Sequence, residues 1–176
     1  MTKHMKTGHS RSMVTIFCED ITLANTDAIV NSANRSLIAG SGVCGEIFRK
    51  AGKPELEQEC IEIRNTLSTK WLPIGGVIVT KPYNLKCNHI IHTVAPKNYV
   101  DDSKLLELPF INSLKMAKSL GCKSIAFPAI GGGINGFSLR KVARICKRVF
   151  EKSELDIYIY INSNERLIEF KKYYYR

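Results

Sequence analysis

No apolar run in this chain approaches the roughly 18 residues that a membrane span requires. The longest, such as Ile125 to Ile130 and Ile157 to Ile161, have the length of buried strands, so no transmembrane helix is expected. The first dozen residues are basic and polar with no apolar stretch, which leaves no secretory signal. An intracellular location, cytoplasmic or nuclear, is the expectation. No two of the six cysteines, at positions 18, 44, 60, 87, 122 and 146, form a C-x-x-C pair. That spacing argues against a zinc ribbon, a thioredoxin-like motif and a dense disulfide framework, and leaves most of them as small buried hydrophobes. G-x-x-x-x-G-K-[ST] is absent, so neither glycine-rich stretch is a P-loop. Acidic residues are scarce: 16 Asp and Glu face 26 Lys and Arg, and the net charge of +10 attracts polyanions or phosphorylated ligands without naming one.

What is present suffices for one globular domain. The chain has 176 residues and is 44% hydrophobic, enough to fill a core and too apolar for a disordered segment. Residues 1–12 read as a basic tail and residues 13–176 as a single domain. Val14 to Cys18 and Asp27 to Asn31 are β-branched and aliphatic runs that read as strands. Val43, Ile47 and Ala51 recur at helical spacing up to Gly52, and Leu56, Cys60, Ile63 and Leu67 mark a second helix from Pro54 to Leu67. Strands follow at Gly76 to Thr80 and His89 to Val94. A helix begins no later than Pro109, or is kinked there, and is stopped by Gly121. Lys123 to Ile130 reads as a buried strand, Ser138 as the N-cap of a helix from Leu139 to Lys152, Ile157 to Ile161 as the last strand and Asn164 to Tyr174 as the closing helix. Strands alternating with helices predict an α/β domain with a largely parallel sheet.

In such sheets ligands bind beyond the carboxyl ends of the strands, and here two glycine-rich loops sit between strand ends and helices. The first is Ala39-Gly40-Ser41-Gly42-Val43-Cys44-Gly45 and the second is Gly131-Gly132-Gly133-Ile134-Asn135-Gly136-Phe137. Glycine lets backbone N–H groups turn toward an anion, and a helix N-terminus favours negative charge. Two such loops suit a diphosphate, although each taken singly also reads as a plain turn. Gly40, Gly42 and Gly45 spell G-x-G-x-x-G, but Ser32 to Ala39 separates them from the preceding strand, so a dinucleotide fold is not inferred. Asp20, after the first strand, can accept hydrogen bonds from the amino group of a base or cap a turn. Asn31 and Asn34, at the end of the second strand, can bind ribose hydroxyls, hold a water or serve as turn residues.

Taken together these residues resemble the macro domain family, whose members bind ADP-ribose. D-A-I-V-N-S-A-N is similar to the family's strand ending in N-A-A-N. G-S-G-V-C-G-E-I-F-R-K-A-G resembles its first phosphate loop and helix, H-I-I-H-T-V-A-P the following strand, and S-I-A-F-P-A-I-G-G-G-I-N-G-F its second phosphate loop. The resemblance runs over roughly residues 13–174 and implies a three-layer α/β/α sandwich with a mixed, largely parallel central sheet. It implies Asp20 and Ile21 at adenine, Asn34 at the distal ribose, the Val43 and Cys44 backbone at one phosphate, and Gly132 to Asn135 at the diphosphate. Asn31, Gly42, Gly131, Gly136 and Phe137 complete the expected ligand-binding set, with Asn34 and Cys44 as the catalytic candidates.

The implied function is binding of ADP-ribose, free or protein-linked, with hydrolysis of mono-ADP-ribose esters on acidic side chains or of O-acetyl-ADP-ribose. A non-catalytic reader and a poly(ADP-ribose)- or RNA-binding domain are the alternatives. No metal or cofactor is expected, nor a membrane partner, and a monomer is. The chain also departs from the family. Hydrolytic members read G-G-V-D-G-x-I-H-R, whereas Cys44 stands here for the Asp and Phe48 for the His; viral-type members share the G-x-G-V-C form. Asn135 replaces an aromatic residue, Glu19 replaces a glycine, and Asn162 stands where many members place an adenine-stacking ring.

Three further features have plainer readings. His89 and His92 sit at an odd spacing on one strand, which puts them on opposite faces and disfavours a shared metal. Cys44 at a helix N-terminus would have a lowered pKa if it were a nucleophile. Arg140, Lys141, Arg144, Lys147 and Arg148 share one side of their helix, read as a solvated face in preference to a nucleic-acid patch.

Overall fold

The computed structural model describes residues 12–176, so the expected basic tail lies, apart from Ser12, outside the described residues. Six strands form one sheet in the order β1-β6-β5-β2-β4-β3, with β1 Val14–Cys18, β2 Ala28–Ala33, β3 Val77–Thr80, β4 His89–Val94, β5 Ser124–Pro128 and β6 Asp156–Ile161. Every pairing is parallel except β3 with β4, which gives the mixed, largely parallel sheet expected. The five α-helices among the described residues are α1 Gly42–Ala51, α2 Lys53–Thr66, α3 Glu107–Ser119, α4 Leu139–Phe150 and α5 Asn164–Tyr174, with short 3-10 turns at Ile21–Leu23 and Ser103–Leu106. None of the described helices is long and apolar enough to cross a membrane.

Alternation along the strands builds the two faces. Ala28, Val30, Ile91, Ile125, Phe127, Ile157 and Ile159 point to the side covered by α3, α4 and α5. Ile29, Ile90 and Ala126, one residue out of step, point to the side covered by α1 and α2. On the first side Phe110, Phe127 and Phe150 pack with ring centroids 4.9–5.8 Å apart, pairs worth about 0.5–1.5 kcal/mol each beyond their buried area. Five of the six cysteines are buried and none forms a disulfide, in keeping with their reading as small hydrophobes.

The expected boundaries shift where pairing or turn chemistry decides. β2 runs two residues past Asn31, because Ser32 and Ala33 still pair with Thr93 and Val94 of β4. β5 is shorter than the apolar run from Lys123 to Ile130, since the chain turns out beyond Pro128 and Ile130 bonds back to the Pro128 carbonyl. Pro109 lies in the first turn of α3, where its missing N–H costs nothing, so the helix has no kink. Ser138 caps α4 as read, its side chain accepting from the Lys141 N–H.

Because β1, β6, β5, β2 and β4 all point the same way, their carboxyl ends form one edge. Both glycine loops, Asp20, the segment 95–101 and the first turn of α5 meet there.

Candidate functional site

A continuous trough runs along that edge in three sections. The middle section, of about 190 Å³, lies between Ser41, Gly42, Val43 and Cys44 on one side and Gly131, Gly133, Ile134 and Asn135 on the other. One end opens through Gly42, Val43, Tyr160 and Asn162 into a cavity of about 480 Å³ that holds Glu19, Asp20, Ile21 and Glu46. The other end opens through Ser32, Ser41, Cys44 and Asn135 into a cavity of about 640 Å³ lined by Asn34, Arg35 and Lys97. The trough is acidic at one end and basic at the other.

The first glycine loop delivers its N–H groups to the middle section because α1 is uncapped. Ser41 occupies the N-cap without a side-chain bond, and the first helical bond is made only by the Gly45 N–H to the Ser41 carbonyl. The N–H groups of Gly42, Val43 and Cys44 therefore stay free at the positive end of the helix. Gly42 has φ +59°, and a Cβ at Gly45 would run into the Gly40 carbonyl oxygen, so the loop depends on glycine at both places.

The second loop is held from both sides. The Arg166 Nη2 donates to the Gly132 carbonyl at 2.8 Å, and the Asn135 side chain donates to the Ala95 and Pro96 carbonyls at 3.2 and 3.0 Å. Gly133 faces the trough with nothing within 4 Å of the position a Cβ would take.

At the basic end, Asn34 is tied to Ile38 by both ends of its amide: Nδ2 donates to the Ile38 carbonyl at 2.8 Å, and Oδ1 accepts from the Ile38 N–H at 3.2 Å. One donor hydrogen and one lone pair remain available on a fixed amide. A Cβ at Gly40 would lie 3.6 Å from Asn34 Nδ2 and 3.7 Å from Cys44 Sγ, so these three residues form one corner.

At the acidic end, Asp20 acts as a turn cap, one of the two readings open in the sequence. Its Oδ1 accepts from the Thr22 N–H at 2.9 Å and the Thr22 hydroxyl at 2.7 Å, capping a short turn, while its other oxygen makes no such bond. Ile21 lies buried against the same cavity.

Four expected site residues lie outside the trough lining: Asn31, Gly136, Phe137 and Gly132, which is buried and held through its carbonyl by Arg166. Asn31 is fully buried beneath the first loop, its Nδ2 donating to His92 Nδ1 at 3.0 Å and to Cys44 Sγ at 3.6 Å, with Oδ1 unpartnered. It supports α1 from below. Phe137 is buried and closes the second loop through its N–H to the Gly131 carbonyl, and Gly136, at φ +81°, turns that loop and accepts from the Asn98 amide.

The lowered-pKa reading of Cys44 is corrected by its surroundings. Burial pushes the thiol up, against the smaller lowering effects of the Asn31 amide and the Gly40 backbone, so it is a neutral thiol at ordinary pH. Cys44→Ala is expected to keep turnover and ligand affinity within about threefold of the parent, because the backbone N–H survives. Loss of turnover with intact affinity would restore a thiolate role.

His92 lies under the same corner, with Thr80 Oγ1 2.8 Å from its Nε2. With Asn31 donating to Nδ1, the ring proton sits on Nε2 and faces Thr80. Burial pushes His92 down to about 3, whereas the unfolded chain takes up that proton near pH 6.5. Stability from this residue is thus complete above about pH 6.5 and is lost as pH falls toward 3, by up to about 1.4 kcal/mol for each pH unit. Denaturant midpoints at pH 7 and pH 5 should fall further in the parent than in His92→Gln; an identical drop would contradict this.

Two residues escaped the sequence reading. Arg166 gave no local signal, since its contact with Gly132 spans 34 positions. Tyr160 was legible from strand alternation, which puts Tyr158, Tyr160 and Asn162 on one face; Tyr160 supplies the aromatic wall that Asn162 does not. The five cations of α4 are exposed or half-exposed, with Arg148 paired to Glu107 and Arg140 over the Tyr173 ring, as a solvated face requires.

The sequence model described as Macro domain matches residues 30–146. The chain belongs to the macro domain family. Among its relatives, the O-acetyl-ADP-ribose deacetylase of Escherichia fergusonii is 41% identical over 138 residues, spanning 77% of this chain and 76% of that one. The Oceanobacillus iheyensis macrodomain with ADP superposes with a TM-score of 0.87 at 32% identity, covering 96% of this chain and 93% of that one. The Trypanosoma brucei macrodomain in complex with ADP-ribose gives a TM-score of 0.79 at 27% identity, covering 90% and 68%. In this macro domain the trough joins both glycine loops, two of the four segments that carry the family likeness in sequence.

Proposed function

We propose that the trough binds ADP-ribose, with adenine at the Asp20 end, the diphosphate between the glycine loops and the distal ribose in the Asn34 corner. The observation that carries this reading is the order of chemistry along the trough. A carboxylate oxygen suited to an amino group comes first, then uncapped N–H groups and a loop backed by Arg166, then a fixed amide. Tyr160 offers its ring to the base, and the free N–H groups of Gly42, Val43 and Cys44 offer direct bonds to phosphate oxygens. The names of the solved relatives, with ADP and with ADP-ribose, support the same ligand.

The reaction proposed is hydrolysis of an ester on the distal ribose, either to an acidic side chain or to acetate, as the name of the deacetylase relative suggests. Water attacks the ester, the ester C–O bond breaks, and a carboxylate and a ribose hydroxyl are released. In this corner Asn34 holds the water and the ligand's own phosphate accepts its proton. No carboxylate lines the section around Asn34 except Asp101, whose Oδ2 is bonded to the Lys97 N–H, and Cys44 stays neutral. Catalysis thus rests on placement of substrate and water, which can supply several orders of magnitude in rate. The test is incubation with a protein carrying mono-ADP-ribose on a glutamate: retention followed by release of the label is expected. Retention without release makes the domain a reader, and no retention refutes the ligand.

A further inference from the structure

We propose that the rim beyond the Asn34 corner docks the polypeptide that bears the ADP-ribosyl group, favouring segments in which carboxylates alternate with apolar side chains. This rests on the ligand reading above and names the surface that would contact the polypeptide around the modified side chain.

Ten large hydrophobic side chains are exposed among the described residues, and five of them, Ile38, Trp71, Tyr99, Val100 and Ile134, lie on the segments that meet at this edge. Tyr99 is 98% exposed and Ile134 92%. Val100 and Ile134 line the cavity that contains Asn34; Ile38 carries the backbone groups that bond Asn34. Trp71 is brought to the same edge by the Leu72 N–H, which donates to the Arg35 carbonyl at 2.9 Å. Apolar surface gathered in one place and edged by polar groups marks an interaction site, whereas single exposed residues do not.

The rim is built rather than loose. The Asn98 N–H donates to the Asn135 carbonyl at 2.8 Å and the Asn98 amide to the Gly136 carbonyl at 3.0 Å, so the segment carrying Tyr99 and Val100 is stapled to the loop carrying Ile134. Lys97 and Asp101 close the tip through a bond in each direction, at 2.8 and 2.9 Å. Tyr99 stands at φ +63°, a left-handed conformation that disfavours a residue with a side chain, and its ring makes no packing that would offset it. Folding therefore does not account for a tyrosine at that position.

Charge selects the partner. Arg35 and Lys97 line the cavity and neither forms an ion pair among the described residues, while the one carboxylate beside them, Asp101, is occupied by the Lys97 N–H, so positive charge prevails. Position fixes its attachment: this cavity shares Ser32, Ser41, Cys44, Ile134 and Asn135 with the section between the glycine loops, so whatever hangs from the distal ribose leaves across this rim.

The test compares free ADP-ribose with two peptides that carry ADP-ribose through a non-cleavable amide, one flanked by Glu, Leu and Phe, the other by Gly and Ser. The parent protein should bind the first peptide about tenfold more tightly than free ADP-ribose or the second. The variant Tyr99→Asn, which suits the left-handed position and alters a side chain outside the cavity lining, should bind all three alike, with free ADP-ribose unchanged within twofold. Equal affinity of the parent for all three overturns the proposal, as does an equal loss for free ADP-ribose in the variant. Self-association of the parent that the variant abolishes also overturns it, since the rim would then serve a second copy. Failure of the parent to bind free ADP-ribose at all refutes the underlying reading instead.

Discussion

Gly133→Val should abolish ADP-ribose binding, weakening it by at least about a hundredfold, while the unliganded protein melts within a few degrees of the parent. Nothing lies within 4 Å of a Cβ built at Gly133, and its φ is not in the left-handed range, so the fold accepts the side chain. Replacing a loop glycine also reduces the freedom of the unfolded chain, which favours folding by roughly 0.4–1 kcal/mol where the geometry permits. The added methyl groups would instead occupy the space between the two loops, where each phosphate oxygen must come within hydrogen-bond distance of N–H groups. Calorimetric titration of both proteins reads the result. Unchanged affinity in a folded variant would place the ligand elsewhere on the molecule.

Asn34→Ala should lower turnover of a mono-ADP-ribosylated protein by roughly 10–100-fold and ADP-ribose affinity by no more than about threefold. A group that positions water acts mainly in the transition state, so its loss appears in kcat rather than in binding. Alanine also removes two bonds to Ile38 that shape the loop. Asn34→Asp isolates the donor, because it keeps an acceptor for the Ile38 N–H and loses only Nδ2, which serves the Ile38 carbonyl and the water. If turnover falls in both variants, the donor amide is what matters. If it falls only in Asn34→Ala, the loop shape is.

Much of this was readable before the structure, for identifiable reasons. β-branched and aliphatic runs located the six strands, and apolar residues at steps of three and four with proline, glycine and serine at the ends located the five α-helices, each within a few residues. The glycine loops were visible because only glycine serves a position such as Gly42, at φ +59°, or Gly45, pressed against the Gly40 carbonyl. What stayed hidden depends on contacts between distant segments. Arg166 reads as one more cation in a helix until its guanidinium is seen on Gly132. Asn31 reads as a companion of Asn34, and only the position of β2 between β4 and β5 shows that its side chain points down to His92 rather than out to the trough. For Cys44 the sequence shows a helix N-terminus, which lowers a thiol pKa, and conceals the burial that raises it more.

The central claim is that backbone N–H groups around a diphosphate are the main anchor for the ligand. Thermal unfolding with ADP-ribose or adenosine at the same concentration reads this out, because a ligand stabilises the fold by RT ln(1 + [L]/Kd). A clear rise in melting temperature with ADP-ribose and little or none with adenosine is the expected result. Equal stabilisation by the two would contradict the account, because the base pocket and not the glycine loops would then hold the ligand.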